Sequence, residues 1–524
     1  PVKPIVYYLD RGAPEPLRSA LLEGARWWNQ AFEAAGYRNA FQVELMPEGM
    51  DPMDIRYNII QWVHRSTRGW SYGGGVTDPR TGEILKGKVT LGSLRARQDY
   101  LIAEALLAPY EAGAPIPPDM REMVLARIRQ LAAHEVGHTL GLAHNYISSA
   151  QGDASVMDYP HPKAEIGRDG KIDLSKAYGR GIGEWDKIAI TYGYQDFAPG
   201  VDQRAALDGM LQAAIKRGLW FLSDQDARPA GSAHPQVHLW DNGPDAVEEL
   251  TRWMQVRAKA LANFSEKNIK EGEPMSQLED TLAPLYLSHR YQVEAASKSL
   301  GGLYYTYALR GDGQPVTRKV PPEQQRKALK ALLATLQPEA LAIPERLLAI
   351  FPPVPEGYYR TRESLPSRTG LTFDPLSAAE TAAGLTVGMI LNPERAARLV
   401  EYHARDNAQP GLAEVMDELV RATWKAASAS VYEAEIRRTV DQVVLFHLMA
   451  LAAGDGNSPQ VRAMAGFKLH ELKKWIAQHA WSGDSEKAWA DYSVAWIDRF
   501  DKEPKTIPVP QPAAAPPGQP IGEW

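Results

Sequence analysis

No cysteine occurs among the 524 residues, which excludes disulfides and thiolate metal ligands. No apolar run is long enough to span a bilayer; the longest, near residues 443–453, is broken by His447. No excess of positive charge is present: the net charge of −6 gives no basic footprint for nucleic acid. The glycine run Gly73-Gly74-Gly75 is not followed by Gly-Lys-Ser/Thr, so a phosphate loop is excluded in favour of a backbone-exposing hairpin. No repeat of fixed period is present, which argues against a solenoid. The chain begins at Pro1 without a signal-like segment, as expected of a processed or trimmed polypeptide. What remains is an ordinary globular composition, 44% hydrophobic and 23% charged, in a chain too long for one core.

Against this plain background stands one string, His134-Glu135-Val136-Gly137-His138-Thr139-Leu140-Gly141-Leu142-Ala143-His144. It is specific because the chain has only 12 histidines in 524 residues and three fall here. His134 and His138 are four apart, which on a helix puts both imidazoles on one face, able to share a metal ion. Met123, Val124, Leu125, Ile128, Leu131 and Ala132 recur at helical spacing before them, and no proline or glycine interrupts residues 121–136. Gly141 is expected to end that helix, because glycine tolerates the left-handed backbone favoured there. The turn then brings His144 to the metal from a new direction. Three imidazoles leave one coordination position open, the arrangement of a single catalytic Zn²⁺. Water in that position has its pKa lowered from about 15.7 towards about 7, and Glu135 is placed to act as its general base.

The rest of the first 200 residues reads as strand, helix, strands and then the metal helix. Residues 2–9, 41–45 and 55–62 have strand character, and residues 16–35 form one amphipathic helix closed by Gly36. Within residues 69–93 a turn at Asp78-Pro79-Arg80-Thr81-Gly82 predicts a hairpin, with residues 88–91 as its second strand. Beyond residue 200 the pattern turns helical, over 245–269, 285–300, 322–336, 392–406, 412–427, 431–453 and 460–479. The expected division is 1–200 for the zinc domain, 201–503 for a helical domain and 504–524 for a Pro/Ala-rich tail, disordered or polyproline in part. His234, His238, His289 and His403 lack ligand spacing and read as surface or core histidines. Asp224-Gln225-Asp226 does not complete a calcium loop and reads as a turn.

The extended histidine string, together with Ser155-Val156-Met157-Asp158-Tyr159-Pro160, resembles the metzincin clan of zinc endopeptidases. The resemblance implies an α+β fold: a catalytic domain with a twisted mixed sheet and a zinc-binding helix, followed here by a mostly α-helical domain. It implies that Met157 lies beneath the histidines in a Met-turn and that Tyr159 donates a hydrogen bond to the oxyanion. Alone, Met157 would read as core packing and Tyr159 as a buried tyrosine. The segment Gly183-Glu184-Trp185-Asp186 resembles the start of the clan's C-terminal helix, where an acidic residue braces the Met-turn. Asp186 is the candidate, and a first-turn aspartate favoured by the helix dipole is the equal alternative. In the clan an edge strand binds the substrate in extended form, and residues 88–91 are the expected counterpart. Trp27-Trp28-Asn29-Gln30-Ala31-Phe32, Leu239-Trp240-Asp241-Asn242-Gly243 and His289-Arg290-Tyr291-Gln292-Val293-Glu294-Ala295 are similar to strings in large bacterial zinc-dependent metalloproteases. Those proteins carry long extensions, and by that resemblance the chain is exported.

The expected function is therefore a zinc endopeptidase acting on an extended peptide or protein, without nucleic-acid or membrane-spanning partners. An exopeptidase or narrow peptidase is the alternative among enzymes, and a zinc-containing peptide-binding scaffold is the alternative outside them. Oligomeric state is not legible in the sequence.

Overall fold

The computed structural model describes residues 3–65, 70–113 and 115–518. The first part is α+β. Strand β1 (Ile5–Leu9) leads to helices α1 (Leu17–Arg26) and α2 (Trp28–Ala34), then to strands β2 (Phe41–Leu45), β3 (Asn58–Val63), β4 (Tyr72–Thr77) and β5 (Ile84–Gly92). The sheet order is β2-β1-β3-β5-β4. The first four run parallel, and β4 alone is antiparallel, paired Gly73 to Val89 and Gly74 to Lys88.

Three local expectations change. The helix expected over 16–35 tightens at Trp27, whose N–H bonds to the Gly24 carbonyl at 3.1 Å, and it continues as a second helix. The strand expected from residue 55 begins at Asn58, because residues 55–57 form a turn. Residues 88–91 are not an edge: β5 is bonded to β3 on one side and β4 on the other, with Val89 and Leu91 fully buried. The edge on this side is β4. Of the expected strand over 2–9, Val2 lies outside the described residues, as does Gly69 of the hairpin segment.

Helix α3 (Leu94–Leu107) follows β5 and was not legible in the sequence. Two of its charged residues are buried, Arg95 bonded to Asp99 at 2.5 Å, and they break the apolar stripe that would have marked it. Helix α4 (Pro118–Thr139) is the metal helix. Its later residues Val124, Ile128, Leu131, Ala132 and Val136 join the core around the sheet. Its earlier residues Met120, Met123 and Ala126 join a larger core that reaches through the helical part to Val509. One helix therefore belongs to both cores, and its last turns carry His134 and His138.

After α5 (Glu184–Tyr194) and α6 (Gln203–Lys216) come the short α7 (Asp224–Ala227) and α8 (Ala246–Asn263). Helices then dominate, including Pro322–Ala334, Pro393–Arg405, Leu412–Ala422, Val431–Ala453 and Pro459–Gln478. The helix expected over 285–300 is two, Leu278–Tyr286 and Arg290–Ser297. Pro375–Ile390 and Asp484–Lys502 are additional helices. The tail is not free along its described length. Val509 is buried, the Pro516 carbonyl accepts from Arg290 at 2.8 Å, and the Gly518 carbonyl accepts from Gln98 at 3.2 Å. Composition left a disordered or a polyproline tail open, because the groups that capture those carbonyls lie hundreds of residues away. Among the described residues, no helix is long and apolar enough to cross a membrane.

Candidate metal centre

Helix α4 ends where glycine permits it. The Leu140 N–H bonds to Val136 at 3.1 Å and Gly141 turns the chain at φ 92°, a left-handed conformation. That turn folds the Leu142 carbonyl back onto the helix, where it accepts from His138 Nδ1 at 2.9 Å. His144 then returns to face the first two histidines, with ring centroids 5.2 Å from His134 and 4.6 Å from His138.

The ligand nitrogens of the three histidines all lie within 4.8 Å of one another, and this is the only such cluster of three or more among the described residues. Each Nδ1 faces an oxygen: His134 the Val156 carbonyl at 2.7 Å, His138 the Leu142 carbonyl, and His144 the Asp224 carboxylate at 3.0 Å. A neutral imidazole that donates from Nδ1 presents a bare lone pair at Nε2. His134 Nε2 and His138 Nε2 stand 3.1 Å apart, and His144 Nε2 is buried without a hydrogen-bond partner. Three convergent lone pairs repel unless a cation lies between them. Burial, and then the neighbouring histidines, hold His134 well below the usual imidazole range and bring His138 down to about 4, so both stay neutral. The residues present thus fit a divalent metal, and an all-nitrogen set of three protein ligands suits a catalytic zinc.

Glu135 is buried beside this cluster. Burial pushes its carboxyl up to about 8, while the Arg127 guanidinium and the Gly73 amide act in the opposite direction. The edge strand reaches the helix here: a Cβ on Gly73 would lie 2.0 Å from the Glu135 carbonyl oxygen.

The Ser155–Pro160 turn lies against the same helix. Met157 is fully buried, with its Sδ against Gly137, the residue before His138. Asp186 is buried at the start of α5 and its carboxylate accepts from Ser155 Oγ at 2.6 Å, the Val156 N–H at 2.8 Å and the Gly183 N–H at 2.9 Å. Asp158 holds the other side of the turn, accepting from Ser148 Oγ and the Ser149 N–H, each at 2.9 Å. The Tyr159 ring sits 5.0 Å from both His134 and His144. Burial, and next the Glu135 charge, raise its hydroxyl to about 12.

All eight residues singled out in the sequence therefore lie in one region: the three histidines, Glu135, Gly141, Met157, Tyr159 and Asp186. Others were not foreseen. Asp224 belongs to a stretch read as a turn, yet it forms a short helix and reaches His144 across 80 residues of sequence. Arg228 bonds Asp224 at 2.5 Å and the Tyr146 hydroxyl at 2.8 Å. The Trp240 ring packs 5.1 Å from Tyr159, and its backbone N–H bonds to the Tyr159 carbonyl at 2.8 Å. No local signal marks these residues, although Trp240 lies in one of the strings that carried the wider resemblance. His234, His238 and His289 are buried away from the cluster and His403 is exposed.

Residues 117–430 match the family described as Met-zincin, a span that includes α4, the three histidines, the Met157 turn and much of the helical part. The chain belongs to this family. No curated protein and no solved structure matches it. Family membership and the histidine triad together support a function of the metalloprotease type.

Proposed function

We propose that the chain is a zinc endopeptidase. The observation that carries this reading is the convergence of three bare Nε2 atoms beside a buried glutamic acid and a tyrosine ring. When bound, a zinc ion supplies a Lewis acid that polarises the scissile carbonyl and acidifies water. Glu135 takes a proton from the attacking water and returns it to the leaving amine. The Tyr159 hydroxyl donates to the oxyanion as negative charge develops. Met157, Asp186 and Asp158 keep the turn that carries Tyr159 in place.

The substrate is read as an extended peptide lying along the outer edge of β4. Tyr72, Gly74, Gly75, Val76 and Thr77 are exposed, and the glycines leave backbone donors and acceptors uncovered. Main-chain pairing of this kind tolerates many sequences, as an endopeptidase requires. Export of the protein, expected from its resemblance to large bacterial metalloproteases, belongs to the same proposal.

The test is hydrolysis of an unfolded protein by the zinc-loaded chain, with Glu135→Ala beside it. Cleavage at internal bonds by the parent alone is the expected result. Release of single residues or dipeptides from one end would favour the exopeptidase. Absence of cleavage by either protein, with zinc bound to both, would favour a binding scaffold.

A further inference from the structure

His144 differs from the other two histidines in what it meets at Nδ1. His134 and His138 each face a backbone carbonyl supplied within or just beside the metalloprotease string and its turn. His144 faces a carboxylate: both oxygens of Asp224 lie near its Nδ1, at 3.1 and 3.0 Å. We propose that Asp224 is a positioning residue of the metal centre, which fixes the orientation and tautomer of His144 and thereby sets the affinity of the site for zinc. This inference rests on the reading of the three histidines as metal ligands and does not depend on peptide hydrolysis.

The contacts around Asp224 form a closed ring. His144 meets the Asp224 carboxylate. Asp224 Oδ1 accepts from Arg228 Nε at 2.5 Å, and Arg228 Nη2 donates to the Tyr146 hydroxyl at 2.8 Å. The Tyr146 ring stacks back on His144, with centroids 4.9 Å apart and planes 22° from parallel. Ser223 Oγ adds a further bond to Asp224 Oδ2 at 3.2 Å. His144 is thus held at its nitrogen and on its ring face by two groups that Arg228 ties together.

The chain around this ring is itself fixed. The Tyr146 N–H bonds to the Leu222 carbonyl at 2.9 Å, and the Asn145 side chain bonds to the Trp220 carbonyl at 3.1 Å. Asp226, two residues after Asp224, accepts from the Tyr305 hydroxyl at 2.7 Å and also from Tyr307. Residues 220–228 are therefore docked from both sides, and the carboxylate is delivered to His144 from outside the eleven-residue string. An imidazole that donates to a carboxylate is a more basic ligand at its other nitrogen than one that donates to a carbonyl.

The experiment is zinc affinity of the full chain by competition with a chromophoric chelator, for the parent, Asp224→Ala, Asp224→Asn, Arg228→Met and His144→Ala. Loss of such an outer partner weakens metal binding about 10–100-fold. Asp224→Ala is expected in that range. Asp224→Asn, which keeps an acceptor oxygen but not the charge, is expected between it and the parent. Arg228→Met is expected to cost less than Asp224→Ala, because the carboxylate remains. The absorption spectrum of the cobalt-loaded chain should change in Asp224→Ala, which a merely structural role would not produce if the metal-free proteins melt alike. Should Asp224→Ala not fold, Asp224→Asn carries the test alone. Parent-like zinc affinity in a folded Asp224 variant, with affinity lost in His144→Ala, would overturn the inference and leave the three-histidine centre standing. Parent-like affinity in His144→Ala as well would overturn both.

Discussion

Gly73 of the edge strand and Glu135 of the metal helix meet backbone to backbone, so closely that a Cβ on Gly73 would lie 2.0 Å from the Glu135 carbonyl oxygen and 3.1 Å from His138 Cβ. The spacing between sheet edge and helix is therefore set by the absence of a side chain. Alanine at 73 must push β4 away from α4 or shift the turn that carries Glu135 and His138. Overpacking of this kind costs about 1–3 kcal/mol. Gly73→Ala is expected to lower stability by that amount in a denaturant titration and to reduce kcat/KM. Gly74→Ala is the control, because nothing lies within 4 Å of its Cβ position. It should leave stability nearly unchanged. Equal effects of the two substitutions would show that the close approach does not matter.

The same glycines show what was legible in the sequence and what was not. A hairpin was readable from its turn residues, but glycines carry no side-chain pattern, so nothing identified Tyr72–Thr77 as the outer strand. The edge was instead expected at residues 88–91, whose alternation is real but is buried between two neighbours. Strand order is a tertiary property. The metal helix and its glycine stop were readable because both are local: spacing of four for the histidines and a positive φ at Gly141. Asp224 and Arg228 were not, because their partners are 80 and 82 residues away. Helix α3 was missed for a different reason, since its buried faces include Arg95 and Asp99, which satisfy each other.

Asp186 offers a pH-dependent test of the turn beneath the histidines. Burial raises its carboxyl from 3.8 to about 6, even though Ser155, Val156 and Gly183 all donate to it. The folded chain then holds this proton more tightly than the unfolded chain. Its contribution to stability is present below about pH 4 and is lost as the pH rises through about 6. Asp186→Ala removes that dependence and also leaves buried donors unpaired, at about 1–3 kcal/mol for each. The stability advantage of the parent over Asp186→Ala should therefore shrink by about 2 kcal/mol between pH 4 and pH 6. Denaturant titrations of both proteins across that window measure it. A constant difference would mean that Asp186 is charged throughout.

Tyr159→Phe separates the ring from the hydroxyl. The ring contacts to His134, His144, Tyr146 and Trp240 are tilted or edge-on and survive the change. Only the hydroxyl is lost, together with its hydrogen bonding to Arg228 and Tyr146. If that hydroxyl serves the oxyanion, kcat should fall about 10²–10³-fold with KM little changed, as for removal of an oxyanion donor elsewhere. Zinc affinity should fall no further than in Arg228→Met, because the hydroxyl reaches the ligand set only through Arg228 and Tyr146. A rise in KM at unchanged kcat would assign Tyr159 to substrate binding instead.

Metal removal should weaken the fold as well as stop the chemistry. Without a cation, three imidazoles, two buried and that of His138 half-buried, turn their lone pairs towards one another, His134 and His138 at 3.1 Å. Whatever binds only the folded chain stabilises it, by about 2.7 kcal/mol at a free concentration one hundred times Kd. A chelator is thus expected to lower Tm and added zinc to restore it. The size of the shift should grow with the logarithm of free zinc. His138→Ala should abolish this response, since it removes one ligand and opens the turn held by the Leu142 carbonyl. Glu135→Gln should retain it, because the glutamate is not needed to hold the ion. The pair separates binding from catalysis in one thermal experiment: a zinc response lost in Glu135→Gln would make Glu135 part of the ligand set, and one kept in His138→Ala would remove His138 from it.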